Sequence, residues 1–244
     1  QPDHRDMVYS LPAEPKALPP IVNLVPQCPP IYDQQSLGAC TSHAAAFCYE
    51  FTELEEAHQY GVPARLQIYY STRRLQGTVR QDSGASIRTT FKAIARDGYS
   101  RDSRYPYKVQ YFKSLPPAAV WKDAASCRPG ALGKAYVRVP QGLMTLQTML
   151  AEGNPVAFGF SVPESFMSEA MAKRGVMSMP QAGERVVGGH AVALVGYDAV
   201  QGLFLVRNSW GAGWGQNGYF TAPAAFIVDP NWCSDFWAVL DAPG

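Results

Sequence analysis

The spacing of apolar residues changes character near residue 130. Before that point it is helical. From Cys40 to about Gln59, Ala44, Phe47, Cys48 and Phe51 recur at helical intervals, with Glu50, Glu53, Glu55 and Glu56 marking a polar face, until Gly61 and Pro63 end the run. Leu66 to Leu75 reads as a short helix. Ile87, Phe91 and Ile94 give an apolar stripe to a helix from Ile87 to Arg96, which Ser86 caps and Gly98 closes. Tyr105 to Pro117 reads as irregular connection. After residue 130 the period shortens to that of a strand. Lys134 to Val139 alternates, and Pro155–Val162, His190–Tyr197, Leu203–Asn208 and Gly218–Thr221 are β-rich runs separated by turn residues. One helix, Gly142 to Glu152, interrupts them, with Leu143, Leu146, Met149 and Leu150 as its apolar stripe. Eight prolines in the first 30 residues predict extended chain laid over a body. The pattern is therefore α+β: a leader over 1–22, then a domain over 23–244 with a helical part over about 31–125 and a strand-rich part over about 126–235.

Composition narrows the class. With 47% hydrophobic residues the 244-residue chain can bury a sizeable core, and no apolar run approaches the roughly 18 residues of a membrane span. It starts without Met on a polar stretch, as a processed product would. The net charge of +1 hides a basic middle: residues 65–138 hold 15 Lys and Arg against 4 acids. Such a segment is expected to be a solvated surface whose arginines pair with acids elsewhere in the fold. No zinc-finger spacing or aromatic RNA-binding motif turns it toward nucleic acid. Five cysteines, none in a C-x-x-C pair, make a zinc site an unsuitable reading and leave room for one thiol and up to two bridges. The lean is to an oxidising setting, secreted or otherwise extracytoplasmic or lytic.

Candidate chemistry starts at Cys40. It follows Gln34-Gln35-Ser36-Leu37-Gly38-Ala39 and opens a helical run, so its thiol sits at the positive end of a helix dipole, where the thiolate is stabilised. Of four histidines, His4 lies in the leader and His58 ends the first helix among charges. His43 shares that helix and is expected to point aside from the thiol. His190 follows Val187-Gly188-Gly189 and opens an apolar strand, a place from which a ring can project into a cleft. Asn208 ends another strand, followed by Ser209, Trp210 and Gly211; an Asn side chain can hold an imidazole tautomer and a tryptophan can keep water from that bond. Cys48 reads as a buried core thiol.

Gln34…Cys40, Gly189-His190-Ala191-Val192-Ala193-Leu194-Val195-Gly196-Tyr197 and Asn208-Ser209-Trp210-Gly211-Ala212-Gly213-Trp214-Gly215-Gln216-Asn217-Gly218-Tyr219 resemble, in this order, the three signature blocks of papain-like cysteine peptidases. The resemblance runs from about residue 19 to the end. It implies a helical N-terminal subdomain and a β-barrel-like C-terminal subdomain with the active-site cleft between them. It also implies a thiol endopeptidase: Cys40 as nucleophile, His190 as base and then acid, Asn208 orienting His190, Trp210 shielding that contact, and the Gln34 side chain with the Cys40 N–H as oxyanion hole. Gly84 and Ala85 fall where the family binds substrate backbone. Gly159, Phe160 and Ala191 fall near an apolar pocket for the residue two before the cut. Neither metal nor organic cofactor is implied. The partner implied is a peptide or protein substrate; the leader over 1–22, proline-rich, extended and polar-tipped, is expected to act as a short pro-segment that lies in or over the cleft as an inhibitor, and the chain is expected to be a monomer. Departures mark a divergent microbial branch. Leu37 stands where the family has a cysteine, so that family disulfide is absent. Thr41 replaces the usual Trp or Tyr, and the Gly-Gly of the substrate loop is Gly84-Ala85. Two other activities fit the same residues: acyl transfer to an amine, as in transglutaminase-like enzymes, and silent binding on the same fold.

Overall fold

The computed structural model describes residues 6–12, 17–55 and 61–242. The leader's Pro2-Asp3-His4-Arg5, the expected end of the first helix and His58 lie outside them. The chain folds as two compact units, one built from residues up to Asp33 with Val137–Ala238, the other from Gln34–Tyr136 with the chain from Val239 onward.

In the second of these, helix α1 (Cys40–Glu55) packs against α2 (Arg65–Gln76) and α3 (Ile87–Asp97). The α1 residues from Thr41 to Phe51 are all buried, Glu50 included, and so is Glu53, each of these glutamates at 6% exposure. Of the polar face read from the sequence, Glu50 and Glu53 do not face solvent, because neighbours enclose this part of the helix, whereas Leu54 is exposed. Helix α3 begins as its sequence predicts: Ser86 Oγ accepts the Thr89 N–H at 3.2 Å, satisfying one donor of the first turn. Ile87, Phe91 and Ile94 are buried, and Gly98 ends the helix at φ +75°. Its backbone leaves no space: a Cβ there would lie 1.8 Å from the Ala124 carbonyl oxygen. Ala124 belongs to α4 (Ala118–Ser126), a helix absent from the sequence reading. Trp121 of α4 meets Tyr70 of α2 edge-on, so this segment stays with the helices and the strand-rich unit starts only at Val137. The basic segment finds acids both within itself and beyond it: Arg65 pairs with Asp102, Arg74 with Asp97, and Arg101 and Arg104 with Asp123, while Lys134 reaches Asp241.

The other unit is an antiparallel sheet. Its strands are β1 (Ile21–Asn23), β3 (Val156–Pro163), β4 (Val186–Asp198), β5 (Leu203–Arg207), β6 (Tyr219–Pro223) and β7 (Cys233–Asp241), and with β2 (Lys134–Arg138) the order is β2-β7-β3-β4-β5-β6. Strand β4 is its axis. It is exposed over Val186–Gly189 and buried from His190 to Tyr197. β3 lines it from Val186 to Leu194, and β1 takes Gly196–Asp198. Gly196 permits this change of partner, since a Cβ there would lie 2.4 Å from the Val22 carbonyl oxygen. Helix α5 (Leu143–Ala151) packs on β3 and β4 through Leu146, Met149 and Leu150. Leu143, expected on that stripe, is 45% exposed because it sits at the helix's first position. Two short helices, α6 (Glu169–Arg174) and α7 (Ala224–Val228), complete the unit.

The described leader residues belong to this unit. Met7 and Tyr9 exchange backbone hydrogen bonds with Arg138, and the Tyr9 hydroxyl donates to Glu152. Pro12, Leu18 and Pro19 line a cavity of about 440 Å³ with Thr148, Ala151 and Glu152. β1 then joins β4 at the end away from His190. No disulfide joins any of the five cysteines.

Candidate active site

The thiol comes from the helical unit. Cys40 is the first residue of α1, whose opening N–H groups point beyond the helix and carry its positive dipole end. A tight turn feeds it. Gln35 takes φ +53°, the Leu37 N–H bonds back to the Gln34 carbonyl, and the Gln34 side-chain amide donates to the Leu37 carbonyl at 2.9 Å. Leu37 and Ala39 are buried on Leu66 and Tyr69, with Ala85 packed against the same cluster. Leu37, in the family's cysteine position, thus holds the turn by apolar burial. Thr41 accepts a hydrogen bond from the Thr90 hydroxyl of α3 at 3.0 Å, inside the core. His43 turns its Nδ1 to the Ala39 carbonyl at 2.9 Å, and since a carbonyl only accepts, Nδ1 carries the proton. Its ring is buried edge-on to Tyr107, 4.8 Å between centroids, so His43 is a structural member of α1. The Tyr107 hydroxyl donates to the Gln34 carbonyl at 2.9 Å. Sequence reading passed over Tyr107, which lies in a stretch with no periodicity. Gly84 sits half-buried at φ +66° beside Ala85.

The imidazole comes from the sheet. His190 is the first buried residue of β4, and its Nε2 lies 2.8 Å from Asn208 Oδ1. The same oxygen accepts the Ser209 backbone N–H at 2.8 Å. That second donor settles which way the amide faces, for a backbone N–H can meet only the oxygen. Nε2 must therefore carry the ring proton, and Nδ1 keeps the lone pair. Trp210 stacks on the imidazole with centroids 4.7 Å apart and 28° between planes. Phe160 meets it edge-on at 5.7 Å, and Trp214, Phe166 and Phe220 continue the aromatic cluster. Burial pushes the His190 imidazolium down from the ordinary 6.5 to about 4, while the hydrogen bond to Asn208 acts the other way.

Register separates the three pocket positions. Gly159 lies opposite Ala191 and Phe160 opposite His190, so the first pair shares one face of the sheet and the second pair the other. Phe160 backs the imidazole and does not line the same surface as Gly159 and Ala191.

Arg207, one residue before Asn208, is another feature missed in the sequence. Its buried guanidinium donates to the carbonyls of Pro29 and Pro30 at 2.7 and 2.6 Å and lies against Tyr32 and Tyr219. The Gly211 N–H then bonds to the Tyr32 carbonyl, and Asp33 bridges to Trp210. The strand-end segment carrying Asn208 is thereby laced to residues 29–33. An alternation of proline and apolar residues gives no sign of such an anchor.

The papain family cysteine protease model matches residues 25–225, more than half of the chain. The chain belongs to the papain family of cysteine proteases. This papain-family member is 36% identical over 222 residues to an uncharacterized peptidase C1-like protein of Acanthamoeba polyphaga mimivirus, covering 89% of the chain and 71% of that relative. It is 27% identical over 209 residues to the cathepsin B-like CP3 of Giardia intestinalis, covering 80% of the chain and 64% of the longer relative. Among solved structures, xylellain, a cysteine protease from Xylella fastidiosa, superposes with a TM-score of 0.90 at 32% identity over 100% of this chain and 94% of that one. Digestive procathepsin L 3 of Tenebrio molitor shares the fold, at a TM-score of 0.72 and 17% identity, over 98% of this chain and 75% of its own. The fold is papain-like and α+β, and the chemistry is that of a cysteine peptidase.

Proposed function

We propose that this peptidase is a thiol endopeptidase in which Cys40, His190 and Asn208 form the catalytic triad. The observation that carries the reading is the fixed tautomer of His190: Nε2–H is committed to Asn208, which leaves Nδ1 as the basic nitrogen. His190 Nδ1 takes the Cys40 proton, and the thiolate, stabilised at the start of α1, attacks the peptide carbonyl. The Gln34 amide and the Cys40 N–H receive the developing oxyanion. The imidazolium then gives its proton to the leaving amine, and an acyl-enzyme remains. Water, losing a proton to Nδ1, attacks the thioester, and the acid product leaves as the thiol is restored. Trp210 covers the His190–Asn208 bond and keeps it out of water. Gly84 and Ala85 bind substrate backbone. Gly159 and Ala191 shape a roomy apolar pocket for the residue two before the cut, with Phe160 supporting His190 from the opposite face.

Two measurements test this. A peptide vinyl sulfone should label Cys40 in the unsubstituted chain, and cleavage of a peptide library should disappear in Cys40→Ala. Internal cuts that persist in Cys40→Ala, or transfer to an added amine in place of hydrolysis, would sink the endopeptidase reading.

The second follows His190 by NMR. In Cys40→Ala no thiolate balances the buried imidazolium, so the ring should titrate near 4, well below its unfolded value. The sign follows from linkage. The unfolded chain binds the proton more readily, so the stability contributed by neutral His190 is present above about pH 6.5 and is lost as pH falls through about 4, by at most about 3 kcal/mol. In the thiol-bearing chain the titration should move upward by at least about one unit, as a neighbouring anion favours the imidazolium. Identical titrations in the two chains would separate Cys40 from His190.

A further inference from the structure

Two loops of the helical unit meet at Gly38. A Cβ on Gly38 would lie 3.3 Å from Asp82 Oδ1 and 3.5 Å from the Gly84 N and Cα, so the turn before Cys40 runs directly against the Asp82–Gly84 loop. The contact is polar and directional. The Gly38 N–H is 3.1 and 3.0 Å from the two carboxylate oxygens of Asp82. The Tyr69 hydroxyl donates to Asp82 Oδ1, and the Gly84 N–H donates to the Tyr69 oxygen at 3.2 Å. A carboxylate only accepts, so every proton in this chain has one place to go: Gly84 to Tyr69, Tyr69 to Asp82, and Gly38 to Asp82.

The support beneath is buried and densely hydrogen-bonded. The Tyr69 ring is fully buried under Leu37 and Ala39. The Arg73 guanidinium lies over that ring, 3.9 Å from its centroid, and donates to the carbonyls of Val79, Gln81 and Phe112. The loop that presents Asp82 is thus tied down on its approach side. No disulfide performs this task, for no cysteine is bridged and Leu37 replaces the nearest candidate.

We infer that Asp82, held by Tyr69, is a positioning residue that locks the Gln34–Cys40 turn to the Gly84–Ala85 loop. The inference rests on the reading of Cys40 as nucleophile and of Gln34 with the Cys40 N–H as oxyanion donors. Gly38 lies between those two donors in sequence, so the carboxylate sets their spacing. Through Tyr69 the same carboxylate sets the position of Gly84, where substrate backbone binds. Acyl group and oxyanion donors are registered against each other by one exposed side chain and one buried one.

The test uses the full chain with Asp82→Ala and Tyr69→Phe, the first at an exposed position and the second preserving the buried ring. Peptide hydrolysis needs the oxyanion donors in place, whereas alkylation of Cys40 by iodoacetamide needs only the thiolate. In both variants kcat should fall by about 10- to 100-fold, with KM and the alkylation rate constant within about threefold of the unsubstituted chain. A kcat within about twofold in Asp82→Ala overturns the assignment. So does alkylation that falls in step with kcat in both variants, because the pair then supports the fold and not the turn. An unsubstituted chain that hydrolyses peptides while Cys40 resists alkylation overturns the nucleophile reading itself, a failure distinct from the other two.

Discussion

His190→Ala should lower kcat/KM for peptide hydrolysis by at least about 10⁴-fold. The size follows from the two proton transfers that the proposed mechanism gives the ring in each turnover. On that mechanism it accepts the thiol proton before attack and protonates the leaving amine after it, so its loss would remove the base and the acid together. Asn208 cannot substitute, since its Oδ1 is already occupied by the Ser209 N–H and an amide oxygen is a poor base. Truncation also leaves space beside Trp210 and Phe160, both in contact with the ring. The variant should therefore lose some stability, about 1–3 kcal/mol. A thermal melt alongside the kinetics keeps the two effects apart. Retention of more than about one part in a hundred of the activity, in a folded variant, would show that another group serves as the base.

Gly98→Ala should be the most damaging small substitution to the fold. Its φ of +75° and ψ of −173° belong to a region that residues with a Cβ almost never enter. The added methyl would also lie 1.8 Å from the Ala124 oxygen and 2.7 Å from its carbon, backbone atoms that cannot rotate aside. Helices α3 and α4 would have to part, disturbing the Tyr70–Trp121 contact and the Asp123 cluster with Arg101 and Ser100. We expect a loss of about 4 kcal/mol or more, and a melting temperature lower by roughly 10 °C for a chain of this size. Urea unfolding and calorimetry measure both. A shift under about 2 °C would mean that the α3–α4 junction yields freely.

Much of this architecture can be read before any coordinates, and the reasons differ by element. α3 is legible because three independent signals agree: the stripe of Ile87, Phe91 and Ile94, the cap at Ser86 and the stop at Gly98. β4 is legible from its continuous apolar run after His190. α4 escapes because its alanines follow Pro116-Pro117 and its apolar face is short. Glu50 and Glu53 mislead for a different reason, since amphipathic pattern reports chemistry and not how many neighbours enclose a helix. The family follows from three ordered blocks, yet the block sequence does not give the orientation of the Asn208 amide. That depends on the Ser209 N–H meeting the same oxygen as His190. Tyr69 and Tyr107 contribute single hydroxyls at the ends of long contacts, and no local pattern announces such roles.

The buried guanidinium of Arg207 sets a boundary for trimming the chain. It grips the Pro29 and Pro30 carbonyls, and Tyr32 and Asp33 are then fastened to the segment that follows Asn208. A proteolytic cut before Cys28 would release the strand at Ile21–Asn23 while leaving the approach to Gln34 clamped. A cut beyond Pro30 would free the chain that feeds Gln34 and expose a charge whose acceptors had been those two carbonyls. The durable start of a shortened, working peptidase therefore lies on the N-terminal side of Pro29.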